Sequence, residues 1–120
     1  IEAHHRKKVD APSGTAELLA RAIEAKRDVT PVYDRTPRRE AREANELGMH
    51  SVRGGTIFGE HTVLFAGDDE MLELKHTALS KRVFANGALA AAATILDRPA
   101  GLYNLTNLYE EATHVTHKRL

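Results

Sequence analysis

The chain has 120 residues, of which 42% are hydrophobic and 28% charged, and its formal net charge at pH 7 is zero. This length suits one domain with a modest core, the balanced charge argues against a nucleic-acid partner, and no apolar run is long enough to span a membrane. The chain has no cysteine, which excludes disulfides and leads us to expect a cytoplasmic protein.

The opening run from Glu2 to Ala16 combines groups that donate protons and bind anions. We predict a strand and loop over residues 1–8, in which His4 and His5 point to opposite faces. Imidazole suits proton transfer near neutral pH, and the ammonium group of Lys8 can hold an anionic ligand. The alternative is a hydrogen-bonded structural histidine beside a solvated lysine.

A helix is predicted from Thr15 to about Lys26, because apolar residues recur there at helical spacing after a Pro-Ser-Gly-Thr turn. Ser13 or Thr15 can act as its N-cap. The first amides of a helix have no intrahelical partner, and Gly14 leaves space above them, so this turn can seat a carboxylate or phosphate. An ordinary capped helix is the alternative.

The middle of the chain is predicted to be mainly β. The predicted strands are residues 29–33, 49–53, 56–59 with 61–66, and 70–77. A turn at residues 67–69 would join the last two strands into an antiparallel hairpin. Residues 37–47 are predicted to be a helical turn or a loop, and the arginines in and beside this stretch to form a solvated face. Those arginines are Arg35, Arg38, Arg39 and Arg42.

A second helix is predicted from Ser80 to Leu96. We predict a third short helix or a docking segment over residues 102–111, and a frayed tail over 114–120. Together these elements predict an α+β fold, with a small sheet and helices on one face. Apolar residues at both alternations of the hairpin predict a second covered face, for which another subunit is a natural cover.

A metal site is a further possibility that the histidines raise. The candidate ligands are His4, His5, Asp10, His50, His61 and His76. Adjacent histidines are not the i, i+4 pair with which a helix holds zinc, and cysteine ligands are absent. We therefore expect no bound metal.

Five motifs resemble those of the dihydrodipicolinate reductase family, and the resemblance covers nearly the whole chain. They are the runs 2–16, 51–55, 59–62, 84–88 and 101–103. The family has an N-terminal Rossmann domain for NADH or NADPH, and a C-terminal α+β domain that binds substrate and forms a tetramer through its sheet. The chain resembles the second domain, lacks a Gly-x-Gly-x-x-Gly fingerprint and begins at Ile1, so we interpret it as part of a longer protein.

The resemblance also implies roles for particular residues. His4 would be the acid that protonates the substrate, and Lys8 would stabilise charge on the reacting dicarboxylate. The implied substrate-binding residues are His5, Ser13, Gly14 and Thr15. His76 matches a recurrent family histidine, whereas Glu60 and His61 are interpreted as structural.

One position departs from the family pattern. The family carries an arginine after the serine that precedes the second helix, and this chain has Lys81 after Ser80. Lysine lacks the bidentate fork of arginine, so we assign no ligand role to Lys81, nor a docking partner to residues 101–120.

Three functions follow as hypotheses. In the first, the parent protein reduces 4-hydroxy-tetrahydrodipicolinate with NADH or NADPH in lysine and diaminopimelate biosynthesis, and this chain supplies the acid and the substrate pocket. In the second, the chain alone is an oligomerisation module without turnover. A nucleotide domain preceding Ile1 would favour the first. A metal-dependent hydrolase is the third, and stoichiometric zinc would identify it.

Overall fold

The computed structural model of the chain describes residues 1–108 and divides into two compact units, Ile1–Leu79 and the residues from Ser80 onward. The elements in chain order are β1 (Glu2–His4), α1 (Gly14–Glu24), β2 (Thr30–Val32), β3 (Glu46–Gly48), β4 (Ser51–Arg53), β5 (Gly59–Ala66), β6 (Met71–Ala78) and α2 (Arg82–Ile95). The predicted α+β class with a mixed sheet is confirmed. Among the described residues, no helix is both long and apolar enough to cross a bilayer.

The larger sheet has four strands in the order β4-β1-β5-β6. Strand β1 has only three residues, yet it is central, because it pairs in parallel with β4 and antiparallel with β5. Within this sheet Glu2 lies opposite Ser51 on one side and His61 on the other. A short strand at the centre of a sheet has its backbone groups paired on both edges, which fixes the direction of its side chains.

The predicted hairpin is confirmed, with β5 and β6 in antiparallel register from Gly59 opposite Ala78 to Ala66 opposite Met71. Its turn includes Asp69, whose φ of 60° is in the left-handed region that aspartate tolerates better than most residues. The prediction for residues 56–58 was wrong, since β5 begins at Gly59. Both faces of the hairpin carry exposed apolar side chains, among them Leu64, Phe65, Met71, Leu72 and Leu74.

Helix α1 begins one residue earlier than predicted and is capped by Ser13, whose Oγ accepts a hydrogen bond from the Ala16 amide at 3.2 Å. Ala20 is buried, and Ala16 and Ile23 on the same side of the helix are half-buried. The other buried apolar side chains of this unit are Val32, Met49 and Ala78. The core of this unit therefore contains only a few buried apolar side chains among the described residues.

The strand predicted over residues 49–53 is confirmed only at Ser51–Arg53, as β4, and β3 precedes it at Glu46–Gly48, where no strand was predicted. Strand β3 pairs in parallel with β2 as a separate two-stranded sheet, and β4 joins the larger sheet. Met49 and His50 lie between them; the Met49 amide donates to the carbonyl of Val32, and the His50 carbonyl accepts from the amide of Glu2. Strand β3 was missed because three residues are too few to show the alternating pattern by which a strand is predicted.

The arginine-rich segment is a loop up to β3, as one of the two sequence alternatives held; Arg38, Arg39 and Arg42 are exposed as predicted, whereas Arg35 is half-buried. Arg35 and Arg38 bind the carboxylate of Glu46, and Arg42 donates to the Glu46 carbonyl. Burial would raise the pKa of Glu46, but the hydrogen bond and charge of Arg35 outweigh it and hold that pKa below its usual range. A nearly buried carboxylate thus anchors the loop.

The second unit contains α2, which is two residues shorter at its start and one shorter at its end than predicted. Lys81 is its N-cap residue and makes no side-chain capping bond. Residues 105–108 are helical, and Leu108 is buried. The rest of the predicted segment 102–111 and the predicted tail 114–120 lie outside the described residues.

Glu46→Gln should loosen the arginine-rich loop, because an amide keeps the shape of the carboxylate but gives Arg35 and Arg38 no charge to bind. We expect trypsin to cut after these arginines several-fold faster in this variant, since cleavage follows local opening. Mass spectrometry of timed digests measures the rate. Glu43→Gln, at an exposed position in the same loop, is the control, and equal rates in both variants would contradict the anchor.

Candidate active site

The alternation of side chains along the short strands brings the groups of the candidate site to one face of the larger sheet. Glu2 and His4 share a face of β1, Arg53 lies beside His4 on β4, and His61 lies beside Glu2 on β5. Residues 51 or more positions apart in the sequence thereby meet within a few ångströms.

Glu2 is the centre of these contacts and is only 2% exposed. Arg53 binds it with both terminal nitrogens, Nη2 to Oε1 at 2.7 Å and Nη1 to Oε2 at 2.8 Å. The Ser13 amide also donates to Oε1, at 3.2 Å. A bidentate arginine and an amide donor provide the compensation that a buried carboxylate requires.

These contacts keep Glu2 ionised. Burial by itself would raise the pKa of this carboxyl, but hydrogen bonds from Arg53, Ser51 and His4, together with the charge of Arg53, lower the pKa to about 2. At neutral pH Glu2 is therefore a hydrogen-bond acceptor only.

His4, the predicted proton donor, is hydrogen-bonded to this carboxylate. Its Nδ1 lies 2.5 Å from Oε2 of Glu2, and its side chain is 13% exposed. The His4 ring meets the His61 ring edge to face, with 5.2 Å between centroids. On the other side, a Cβ added to Gly59 would lie 3.2 Å from Nε2 of His4. Glycine at position 59 therefore leaves room beside that nitrogen.

Ser13 connects the histidines to the start of α1. Its hydroxyl is hydrogen-bonded with Nε2 of His61 at 2.9 Å and accepts the capping bond from Ala16. Burial, and after it the charge of nearby His4, lower the pKa of His61, so its ring is neutral at neutral pH. The Ala11–Pro12 peptide in the approach to the helix is cis.

The remaining predicted site residues are more exposed. Lys8 donates from Nζ to Asp10 at 2.8 Å, with 21% of its side chain exposed. His5 and Thr15 are exposed, and open space surrounds the Cα of Gly14. The structure thus brings His4 and Ser13 into one network through Glu2, and places Lys8 and the first turn of α1 as groups that a ligand can reach.

The sequence analysis missed the roles of Glu2 and Arg53 in this network and interpreted His61 as structural. The i, i+2 spacing of Glu2 and His4 on a strand was a signal for one of these contacts, because it puts both side chains on the same face. Arg53 carried no comparable signal, since its pairing with Glu2 depends on the parallel register of β1 and β4.

A cavity of about 1020 Å³ lies between α1, the two-stranded sheet and the hairpin. Glu2 and His61 contribute to its lining, but His4, Lys8 and Thr15 do not. It therefore reaches the network from the side of the helix and not from the side where Lys8 lies. Within residues 1–108, no group of three histidine, aspartate or glutamate side chains is placed to hold a metal ion.

Comparison with known proteins gives one family. The family described as "Dihydrodipicolinate reductase, C-terminus" matches residues 1–109. A protein named 4-hydroxy-tetrahydrodipicolinate reductase from Exiguobacterium sp. strain AT1b is 92% identical over the whole chain, which covers 48% of that relative. The protein of the same name from Exiguobacterium sibiricum is 65% identical over 96% of the chain and 47% of the relative. The chain spans about half the length of these relatives.

Among solved structures, the chain is similar to a dipicolinate-bound dihydrodipicolinate reductase from Paenisporosarcina sp. TG-14. The TM-score is 0.68 and the sequence identity 27%, over 88% of this chain and 42% of that chain. Over most of its length the chain therefore has the fold of part of that reductase.

The depressed pKa of Glu2 makes folding stability depend on pH in a defined window. Because the folded pKa, about 2, is below the ordinary value of 4.5, the stabilisation is complete above pH 4.5 and is lost as pH falls towards 2. Urea unfolding at several pH values should show this loss, and Glu2→Gln should flatten it. Glu24→Gln, exposed at the end of α1, should keep the wild-type slope; equal slopes in all three proteins would contradict the assignment.

Proposed function

The chain belongs to the dihydrodipicolinate reductase family, and we propose that it supplies the substrate pocket and the catalytic acid of a 4-hydroxy-tetrahydrodipicolinate reductase of lysine and diaminopimelate biosynthesis. The observation that carries the proposal is the attachment of His4 to buried Glu2, next to the capped start of α1. Hydrogen bonds to Glu2 therefore connect a group capable of proton transfer with a helix start that can bind an anion.

The proposed reaction adds a hydride and a proton to 4-hydroxy-tetrahydrodipicolinate and releases its hydroxyl group as water. NADH or NADPH supplies the hydride when bound. Nine residues join β1 to α1, and Gly14 is the first residue of the helix. This connection is not the glycine-rich strand-to-helix turn that binds a dinucleotide. We therefore assign nucleotide binding to an N-terminal Rossmann domain outside this chain.

His4 is the proposed acid, with Nε2 as the atom that faces the substrate. Its other ring nitrogen is occupied by Glu2, and the absence of a side chain at Gly59 leaves Nε2 room. An imidazolium in this position can give its proton to the substrate as the hydride arrives, which is general acid catalysis.

A small dicarboxylate is the proposed ligand, and the similar structure from Paenisporosarcina sp. TG-14 is described as dipicolinate-bound. The terminal nitrogens of Arg53 are not available to a ligand carboxylate, because they already donate to Glu2 and to the carbonyls of Val52 and Asp10, and its unpaired Nε is buried. Lys8 has three N–H donors and gives one to Asp10. We assign one carboxylate to Lys8 and His5, and the other to the first turn of α1, at Ser13, Gly14 and Thr15.

We also propose that the chain assembles as a homotetramer through its larger sheet. The exposed apolar side chains on both faces of the β5–β6 hairpin support this, since a solvated face alternates with polar residues. In the absence of a nucleotide domain the same chain would be an assembly module without turnover, the alternative function that the sequence left open.

His4→Gln in the full-length protein should lower kcat by about 10²–10⁴-fold with a much smaller change in KM, because the proton donor is lost while the carboxylate contacts remain. Steady-state assays of nucleotide oxidation measure both constants. His50→Gln, an exposed histidine outside the network, should retain kcat. An unchanged kcat in His4→Gln would remove His4 from the acid role.

Lys8→Ala should raise KM and lower kcat together, since the ammonium holds the ligand and stabilises charge on it. Binding of 2,6-pyridinedicarboxylate, measured by calorimetry on the full-length protein, should weaken in parallel. The neighbouring exposed Lys7 provides the control Lys7→Ala. If Lys8→Ala changes only thermal stability, the lysine has a structural role.

Sedimentation equilibrium tests the assembly. The chain should behave as four copies of a 13.2 kDa subunit at micromolar concentration, because exposed apolar faces of this extent favour association. A monomer over the whole concentration range would contradict the tetramer, without bearing on the acid role of His4.

A further inference from the structure

We propose that Glu2 is a positioning residue that holds the His4 ring in the Nδ1–H tautomer, so that Nε2 is the nitrogen that exchanges a proton with the substrate. The proposal rests on the proposed function, in which His4 is the catalytic acid. It adds a residue to the reaction that does not touch the substrate and acts through His4.

The two side chains are in direct contact. Nδ1 of His4 lies 2.5 Å from Oε2 of Glu2, a distance typical of a charge-assisted hydrogen bond. An ionised carboxylate can only accept, so the hydrogen must be on Nδ1. When the ring is neutral, Nε2 then carries the lone pair, and when it is charged, Nε2 carries the transferable proton.

The carboxylate of Glu2 is itself fixed by hydrogen bonds at both oxygens. Oε1 accepts from Nη2 of Arg53 and from the Ser13 amide, and Oε2 accepts from Nη1 of Arg53 and from His4. Glu2 is 2% exposed, so solvent does not compete for these positions. These hydrogen bonds to both oxygens fix the orientation of the carboxylate. The contact between Oε2 and Nδ1 in turn fixes the orientation of the His4 ring.

The opposite edge of the His4 ring carries Nε2. Within residues 1–108, His4 Nε2 has no hydrogen-bond partner, and Gly59 is the residue beside it, with 3.2 Å to an added Cβ. One ring nitrogen is therefore hydrogen-bonded to Glu2, and the other has no partner among these residues. This is the division that a positioned acid requires.

These contacts determine what Glu2→Gln should do. The amide oxygen is best placed at the Oε1 position, where it accepts from Arg53 and the Ser13 amide. The amide NH2 then lies at the Oε2 position, where the hydrogen bond from Nη1 of Arg53 is lost, and it donates to Nδ1 of His4, which favours the opposite tautomer. The shape of the site is kept, while the proton is placed on the wrong nitrogen.

The kinetic experiment uses the full-length protein. In Glu2→Gln we expect kcat to fall by about 10²-fold or more, with KM and the Kd for 2,6-pyridinedicarboxylate within about threefold. The matched control is Glu60→Gln on the next strand, which loses an ion pair to Lys75 at 3.3 Å and should keep kcat. Retained kcat in Glu2→Gln, or a parallel loss of kcat and ligand binding, would overturn the proposal.

A second measurement on the wild-type 120-residue chain decides the matter if Glu2→Gln fails to fold. Long-range ¹H–¹⁵N spectra of the histidine-labelled chain report the tautomer of each neutral ring, and His4→Gln identifies the His4 signals. We expect the Nδ1–H tautomer for His4, and the Nε2–H tautomer would overturn the proposal. This reading needs no turnover: a full-length protein that fails to reduce 4-hydroxy-tetrahydrodipicolinate would refute the proposed function alone.

Discussion

The buried ion pair between Glu2 and Arg53 is the interaction on which the rest of the site depends. Its two hydrogen bonds of 2.7 and 2.8 Å join β1 to β4, and the carboxylate they fix also accepts from His4 and from the Ser13 amide. Removing one partner of a buried pair typically costs about 3–5 kcal/mol, because the other charge is left uncompensated. Removal of the Glu2 side chain would therefore release the histidine ring and the start of α1 together, whereas Glu2→Gln keeps the hydrogen bonds from Nη2 of Arg53 and from the Ser13 amide.

The Glu2–Arg53 ion pair also explains how the site residues keep fixed positions although the apolar core is small. The buried apolar residues of the first unit are few and small, so hydrophobic burial alone gives limited rigidity. The site is instead fixed by polar contacts that link β1, β4 and the capped start of α1, with His61 joining from β5 through Ser13. A second buried carboxylate, Glu46, anchors the arginine-rich loop in the same way. In both places one glutamate orders a segment that lacks regular structure.

Local signals were enough to predict part of this arrangement. The run before α1 predicted a capped helix with Ser13 as one of two candidate caps, and the turn at residues 67–69 predicted the hairpin; both are found. The pairing of Glu2 with Arg53 was beyond the sequence, because it requires the parallel register of two three-residue strands. The contacts of Glu46 with arginines 8 and 11 positions before it were missed, since alternating charges usually mark a solvated surface.

Calorimetric titration of the 120-residue chain with 2,6-pyridinedicarboxylate tests directly whether this chain holds a preformed dicarboxylate site beside His4. We expect 2,6-pyridinedicarboxylate to bind saturably at one site per chain. Pyridine-2-carboxylate, which lacks the second carboxylate, should bind more weakly. Absence of binding by a chain that is folded, under conditions where the full-length protein does bind, would contradict the claim and place the completed site between this chain and another domain.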